Sequence, residues 1–195
     1  MLYMTPAPKR VTTPPSKNIK IFDLDGTVVD SYHRVQHALA SGEFCLQTYI
    51  KECNTPELIA QDGLLPLSAY MISLAEKGEQ FAVITARFTS DADHVFLKSN
   101  GLVNEHTITL CRATVSEQIR SLSDAQYKVY QLNRLKAQFP EDTNFLMYDD
   151  VPEVIEAMQS QGIICLDAVH VNKILAQGVA GHALNPEQLL HVIGG

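Results

Sequence analysis

The sequence of 195 residues has no long apolar run and few basic residues, and both absences exclude classes of protein. No stretch approaches the roughly 18 consecutive apolar residues that a membrane-spanning helix requires. Lysine and arginine total 15 against 22 aspartate and glutamate residues, which gives a net charge of −7. Such a charge argues against a protein that coats nucleic acid through bulk attraction, although it allows a local basic pocket.

Several sequence motifs are also missing. The four cysteines form no C-x-x-C pair, so neither a zinc site nor a dithiol redox site is indicated, and reduced, buried thiols are expected. No G-x-x-x-x-G-K-S/T motif occurs, which excludes a P-loop kinase or nucleoside triphosphatase. Residues 1–17 contain four prolines and lack the apolar core of a signal peptide. We expect a flexible tail there and a cytoplasmic location.

Short apolar runs alternate with amphipathic stretches over most of the chain. Strands are predicted over residues 19–22, 81–84, 107–110, 145–148 and 163–166. Helices are predicted over residues 67–77, 91–100 and 127–139 and from Pro152 onward. This alternation predicts an α/β fold, Rossmann-like and in three layers, with a mostly parallel central sheet. The length fits a single domain over residues 18–195.

Two regions do not show this alternation of strands and helices. Residues 31–62 are mixed in character, with possible helices over 32–39 and 45–51. Residues 168–195 suggest one short helix that begins at Asn185.

Side chains suited to phosphate and metal chemistry follow three of the predicted strands. They are Asp23, Asp25, Thr85, Arg87, Asp149 and Asp150. Ligands of an open α/β sheet bind at the carboxyl ends of its strands, so these side chains are expected to converge there. Four carboxylates brought together repel one another and need a hard divalent cation or raised pKa values. Magnesium satisfies this requirement and also binds phosphate oxygens, which favours phosphoryl transfer as the chemistry.

The segment Phe22-Asp23-Leu24-Asp25-Gly26-Thr27 resembles the D-x-D-G-T signature of the haloacid dehalogenase (HAD) superfamily of phosphohydrolases. Three further motifs of that superfamily occur in order: Thr85 at a strand end, Lys128 near the start of a helix, and the acidic pair Asp149-Asp150. The resemblance extends over about residues 19–166. It implies a HAD-type fold and a magnesium-dependent phosphomonoesterase.

The resemblance also implies roles for individual residues. Asp23 would be the nucleophile that forms an aspartyl-phosphate. Asp25 would protonate the leaving oxygen and then deprotonate the attacking water, which requires a raised pKa. Thr85 would hydrogen-bond a phosphoryl oxygen, and Lys128 would balance negative charge. Lys98 is a less plausible alternative to Lys128, since it lies within its own helix.

The remaining roles concern the turn and the metal. Gly26 would let the backbone pass close to the phosphate, and Thr27 would contact the substrate or cap the turn. Mg²⁺ would be held by Asp23, by the backbone carbonyl of Asp25 and by the acidic pair. Within that pair Asp150 is expected to be the direct ligand, with Asp149 acting through a water or a supporting contact. The pair could instead serve only as a helix cap and a first-turn charge.

The intervals between the motifs hold no large cap domain. Only residues 28–65 are available for a flap or a small helical lid. An open site of this kind would accept a bulky substrate such as a polynucleotide end, or would depend on oligomerisation to close over a small one.

Within the superfamily the sequence is most similar to the 3'-phosphatase domain of polynucleotide kinase-phosphatase. The matching features are Asp62-x-x-x-Pro66, Thr85-Ala86-Arg87, Asp124 four positions before Lys128, and Tyr148-Asp149-Asp150. The likeness implies that Arg87, and also Arg112 and Asp124, contacts the phosphate of a polynucleotide 3' end or orders Lys128. Ala86 in place of a glycine and the net charge of −7 depart from that pattern.

Two other functions stay open at this point. One is a phosphatase of nucleoside monophosphates or of another small metabolite. The other is a HAD-fold binding protein without turnover, which is disfavoured because Asp23, Asp25 and Asp150 are all present.

Overall fold

Five parallel strands form the central sheet of the computed structural model, which describes residues 18–39, 45 and 48–177. The strands are β1 (Asn18–Phe22), β4 (Ala82–Ile84), β5 (Ile108–Leu110), β6 (Asn144–Asp149) and β7 (Ile164–Asp167). Their order across the sheet is β5-β4-β1-β6-β7, and every pairing is parallel. The predicted α/β fold with a mostly parallel sheet is therefore confirmed.

A second, two-stranded antiparallel sheet pairs β2 (Val29–Asp30) with β3 (Gly63–Leu64). The helices in chain order are α1 (Tyr32–Ala38), α2 (Pro56–Ile59), α3 (Ser68–Glu76), α4 (Asp91–Ser99), α5 (Glu117–Arg120), α6 (Asp124–Lys136), α7 (Pro152–Ser160) and α8 (Ala168–Gln177). A π-helical turn covers Tyr49–Cys53, and a 3-10 turn covers Arg112–Thr114. No helix of the described residues is both long and apolar enough to cross a membrane.

Both faces of the central sheet are buried. Side chains alternate along β1, so Ile19 and Ile21 pack against α6 and α7 while Phe22 packs against α3, α4 and α8. Phe22 lies stacked on Tyr148 of β6, with ring centroids 5.2 Å apart. Apolar runs that are buried on both sides are typical of parallel sheets covered by helices.

The segment between β2 and β3, residues 31–62, is called the insert below. It carries α1, the π-helical turn and α2, and its residues 40–44, 46 and 47 lie outside the described part of the chain. The helix predicted over residues 32–39 is present as α1. The second predicted helix, over residues 45–51, falls partly outside the described residues. Thr48 is helical, the Tyr49 backbone N–H donates to the Cys45 carbonyl at 2.9 Å, and the π-helical turn Tyr49–Cys53 follows.

Two helices begin where the sequence interpretation did not place them. Helix α6 starts at Asp124 rather than at Tyr127, because Ser123 and Gln126 cap each other's backbone N–H groups at 3.3 and 3.2 Å. Helix α8 was not predicted. The Asp167 carboxylate initiates it by accepting hydrogen bonds from the backbone N–H groups of the second and third residues after it. The predicted tail, residues 1–17, and the helix from Asn185 lie outside the described residues.

Helix α8 is hydrogen-bonded to the loop that follows β1. The buried Asn172 side chain donates to the backbone carbonyl of Thr27 at 2.9 Å and accepts from the backbone N–H of Leu67 at 2.7 Å. One amide group thus joins the D-x-D-G-T loop to the start of α3.

Replacing Asn172 by alanine leaves both backbone partners unpaired in the interior. Because each unsatisfied buried group is costly, Asn172→Ala is expected to lower the free energy of unfolding by about 2–4 kcal/mol. Urea denaturation measures this change. Asn133→Ala, at an exposed position of α6, is the matched control and should change stability by less than about 0.5 kcal/mol.

Candidate active site

The register of the central sheet brings the chemically active residues to one edge. Phe22 pairs with Val83 on one side and with Tyr148 on the other. The residues that follow these strands therefore emerge together, and the backbone N–H of Asp23 still donates to the Tyr148 carbonyl at 3.0 Å. Asp149, the last residue of β6, lies beside Asp23 for the same reason.

Three carboxylates converge at this edge. Asp23, Asp149 and Asp150 each offer an oxygen atom, and these oxygens lie within 4.8 Å of one another. The Asp25 carboxylate is not a member of this group. The D-x-D spacing thus separates its two carboxylates, and only the first joins the acidic pair.

Gly26 makes room for this cluster. A Cβ atom at Gly26 would lie 2.2 Å from the Asp150 carboxylate, and the backbone there adopts a left-handed conformation with φ of +71°. Both observations require glycine at this position. The expectation that the backbone turns closely here holds, although the group it approaches in the structure is Asp150.

The carboxylate cluster has the features of a cation site. The buried Asp150 Oδ1 atom has no hydrogen-bond partner in the described part of the chain. Burial and the neighbouring Asp149 charge raise the pKa of Asp150 to about 6. Burial, together with the charges of the other acidic residues, raises the pKa of Asp23 to about 8 against the lowering effect of Lys128. A divalent cation would reverse this destabilisation of the ionised carboxylates, so the residues present fit a divalent metal.

Lys128 contributes a positive charge to the carboxylate cluster. Its Nζ atom donates to Asp149 Oδ2 at 2.7 Å and lies 3.1 Å from Asp23 Oδ1. Burial opposes the charged ammonium, but the two carboxylates raise the pKa of Lys128 well above its ordinary value. Since α6 begins three residues earlier than expected, Lys128 lies in its second turn rather than at its start.

Asp25 faces a different partner, and the expectation of a raised pKa is wrong. Burial alone would raise it, but the Arg87 guanidinium and the Ser31 hydroxyl lower the pKa of Asp25 to about 2. Arg87 Nε donates to Asp25 Oδ2 at 2.9 Å, and Nη2 donates to Asp25 Oδ1. Ser31 Oγ donates to the same Oδ1 atom. Asp25 is therefore held ionised by a bidentate ion pair.

Thr27 and Arg112, also expected to contact substrate, differ in position: Arg112 lines the cavity at this edge of the sheet, whereas Thr27 does not. The Thr27 side chain is fully buried, outside the cavity that the carboxylates line. The Arg112 guanidinium lies over the Tyr127 ring and donates to the Asp124 carboxylate at 2.6 Å. Because it also donates to the carbonyl of Arg120, Arg112 orders the loop before α6.

A cavity of about 540 Å³ opens at this edge of the sheet. Asp23, Asp25 and Asp150 line it, together with Thr85 and Lys128. Its lining also includes the apolar and aromatic residues Val35, Tyr49, Phe88 and Leu122. A larger cavity of about 920 Å³ lies at the opposite ends of β1 and β6 and is lined by none of these carboxylates.

Sequence reasoning missed the residues that hold Arg87. Asp93 accepts from Arg87 Nη1 at 2.7 Å, and Arg34 of α1 donates to Asp62 at 2.7 Å. Asp93 carried a recognisable local signal, because Ser90-x-x-Asp93 forms a capping box at the start of α4. Arg34 carried no such signal, since its partners lie far away in the sequence.

Comparison with known sequences identifies the family. A sequence model of the family described as Bacteriophage T5 5'-deoxynucleotidase matches residues 9–190. The 5'-deoxynucleotidase of Escherichia phage T5 is 35% identical over 179 residues, which cover 85% of this chain and 73% of the phage protein. The chain belongs to the bacteriophage T5 5'-deoxynucleotidase family. It is an enzyme that hydrolyses phosphoric monoesters, as the sequence predicts.

Solved structures place this member of the T5 5'-deoxynucleotidase family in the HAD fold. A haloacid dehalogenase-like hydrolase from Streptococcus pneumoniae gives a TM-score of 0.52 at 11% identity and covers 80% of this chain and 91% of its own. Mycobacterium tuberculosis protein tyrosine kinase A gives 0.52 at 19% identity, with 94% and 100% covered. At these identities the likeness shows the fold alone. The closer resemblance to polynucleotide kinase-phosphatase is unconfirmed.

The contact between Gly26 and Asp150 predicts that Gly26→Ala disrupts the carboxylate cluster. Its Cβ would displace Asp150, so the affinity for Mg²⁺ measured by titration calorimetry is expected to fall at least about tenfold. Gly78→Ala is the matched control, because Gly78 has a similar φ of +68° but no atom near the added Cβ. Both variants should lose about 1–2 kcal/mol of stability to backbone strain. Equal Mg²⁺ affinity in the two variants would show that the Asp150 contact is unimportant.

Proposed function

We propose that the protein is a Mg²⁺-dependent phosphatase of deoxynucleoside 5'-monophosphates that acts through an aspartyl-phosphate on Asp23. The observation that carries the proposal is the cluster of Asp23, Asp149 and Asp150, of which Asp23 and Asp150 line a cavity, in a chain 35% identical to a 5'-deoxynucleotidase. This relationship favours the nucleotide alternative over a polynucleotide 3'-phosphate end.

The cavity supports a small nucleotide as the substrate. Its volume of about 540 Å³ lies within the range typical of sites for small ligands. Tyr49 and Phe88 add aromatic residues to the lining of the same cavity, which suit a nucleobase or a deoxyribose. The carboxylates and the aromatic residues of this cavity would thus serve the phosphate and the base of a mononucleotide.

The proposed reaction has two displacements. An Asp23 carboxylate oxygen attacks phosphorus, the bond from phosphorus to the 5' oxygen breaks, and the leaving oxygen takes a proton from Asp25. Water then attacks the aspartyl-phosphate, Asp25 accepts the proton of that water, and phosphate leaves as Asp23 is regenerated. Dividing the hydrolysis in this way replaces one difficult step by two easier ones.

The surrounding residues support both displacements. A divalent cation bound by Asp23, Asp149 and Asp150 would supply charge neutralisation for the phosphoryl group. Lys128 neutralises Asp23 and Asp149 and holds the nucleophile in place. Asp25 must gain a proton for its first role, which requires the ion pair with Arg87 to weaken while Arg87 stays in its position beside Asp25. Arg87 lines the cavity, where phosphate oxygens compete with Asp25 for its guanidinium.

Substrate preference tests the proposal. Phosphate release is measured with excess Mg²⁺ for a deoxynucleoside 5'-monophosphate, a ribonucleoside 5'-monophosphate, a deoxynucleoside 3'-monophosphate and a 3'-phosphorylated oligonucleotide. The highest kcat/KM is expected for the first, and a chelator should abolish the activity until Mg²⁺ is restored. A preference for the oligonucleotide would contradict the proposal and would indicate that the protein processes polynucleotide ends.

Asp23→Asn tests the nucleophile. Because an amide cannot form the acyl-phosphate, kcat is expected to fall by at least about three orders of magnitude while the protein stays folded. Asp142→Asn, an exposed carboxylate in the loop before β6, is the matched control and should retain normal activity. Near-normal turnover by folded Asp23→Asn would rule out the covalent mechanism.

A further inference from the structure

Arg34 is a completely buried arginine that belongs to the insert rather than to the central sheet. Its side chain is 0% exposed and lies in α1. Nη2 donates to Asp62 Oδ2 at 2.7 Å, and Nη1 donates to Asn54 Oδ1 at 3.0 Å. Arginine is rarely buried to this extent unless its charge is paired. Asp62 and Asn54 supply the partners of Arg34, and both belong to the insert.

A chain of opposite charges leads from Arg34 to the catalytic carboxylate. Asp62 Oδ2 lies 3.5 Å from Arg87 Nη1 as well as 2.7 Å from Arg34. Asp93 Oδ1 accepts from Arg87 Nη1 at 2.7 Å and lies 4.0 Å from Arg34. Arg87 in turn holds Asp25 through two hydrogen bonds. Two arginines and three aspartates thus alternate from the insert to the active site.

Within this series of ion pairs, Asp93 is held by hydrogen bonds to a residue close to it in the sequence. The second carboxylate oxygen of Asp93 accepts from the backbone N–H of Ser90 at 2.7 Å and from its hydroxyl at 2.9 Å. These bonds belong to the capping box of α4. Asp93 therefore gives Arg87 one rigid anchor.

Two residues of the insert, Asn54 and Asp62, hold Arg87 and its neighbour from the other side. Asn54 accepts from Arg34 and donates to the carbonyl of Phe88 at 2.9 Å, one residue beyond Arg87. Asp62 lies immediately before β3 and is the last residue of the insert. Arg87 is thus held between a helix of the core and a segment of the insert, and its direction toward Asp25 depends on both.

We propose that Arg34 is a positioning residue for Asp25. Through Asp62 it fixes the Arg87 guanidinium, and Arg87 directs the Asp25 carboxyl toward the leaving oxygen of the substrate. The insert therefore takes part in catalysis by setting the geometry of proton transfer, in addition to lining the cavity with Val35 and Tyr49. This inference depends on the proposed function, because it assigns to Asp25 the protonation of the leaving group.

The test compares substrates that need leaving-group protonation with substrates that do not. A deoxynucleoside 5'-monophosphate has an alkoxide leaving group, whereas p-nitrophenyl phosphate has a stable phenolate. Arg34→Met with Asp62→Asn removes both charges and keeps the side-chain volumes similar, which avoids leaving an isolated buried carboxylate. Arg34→Lys is the conservative variant. Arg134→Met, at an exposed position of α6, is the matched control.

The double variant is expected to lose about 100-fold in kcat for the nucleotide, because small misplacements of a catalytic group have effects of that size. For p-nitrophenyl phosphate the loss should be at most about one-tenth as large, and KM should change little for either substrate. Asp25→Asn should show the same dependence on the leaving group. Arg34→Lys should recover part of the nucleotide activity, and Arg134→Met should match the unmodified protein.

The outcomes separate the inference from the proposed function. Equal losses on both substrates, or a nucleotide kcat close to that of the unmodified protein, would overturn the positioning role. If the unmodified protein hydrolysed neither substrate with Mg²⁺, the proposed function itself would fail. Thermal unfolding of each variant is monitored by circular dichroism, and Arg34→Lys provides the comparison if the double variant does not fold.

Discussion

The mutual repulsion of buried carboxylates is the constraint on which the rest of this structure depends. Asp23, Asp149 and Asp150 lie within 4.8 Å of one another at the edge of a sheet that is buried on both faces. Such an arrangement is unstable unless positive charge enters it. Lys128 supplies one such charge from α6, and the features of the cluster leave room for a divalent cation. The absence of a side chain at Gly26 lets Asp150 approach closely.

A second group of charged residues lies beside the first, and in it each carboxylate is paired with an arginine. Asp25 is only two residues from Asp23, yet it pairs with Arg87 and stays ionised, with a pKa near 2. The two carboxylates of the D-x-D motif thus differ in their partners, which is how neighbouring acids acquire different chemical roles. The partners of Arg87 extend this second group into the insert.

Local patterns were sufficient to predict most of the fold. The apolar runs of β1, β4 and β6 end at polar residues, and parallel strands share one carboxyl edge, so the meeting of Asp23, Thr85 and Asp149 follows from the sequence. The start of α6 and the whole of α8 were misjudged because capping contacts decided them. The pKa of Asp25 was misjudged because Arg87 lies 62 positions away, a pairing that no local pattern contains. Arg34 was missed for the same reason.

Chemical trapping of the phosphorylated enzyme identifies the residue that accepts the phosphoryl group. Protein mixed with Mg²⁺ and a deoxynucleoside 5'-monophosphate is quenched during turnover and treated with borohydride, which reduces an aspartyl-phosphate to homoserine. Mass spectrometry of the peptides then locates the modified residue. We expect homoserine at position 23, dependent on both substrate and Mg²⁺. Turnover without any reduced residue, or with homoserine at another aspartate, would contradict it.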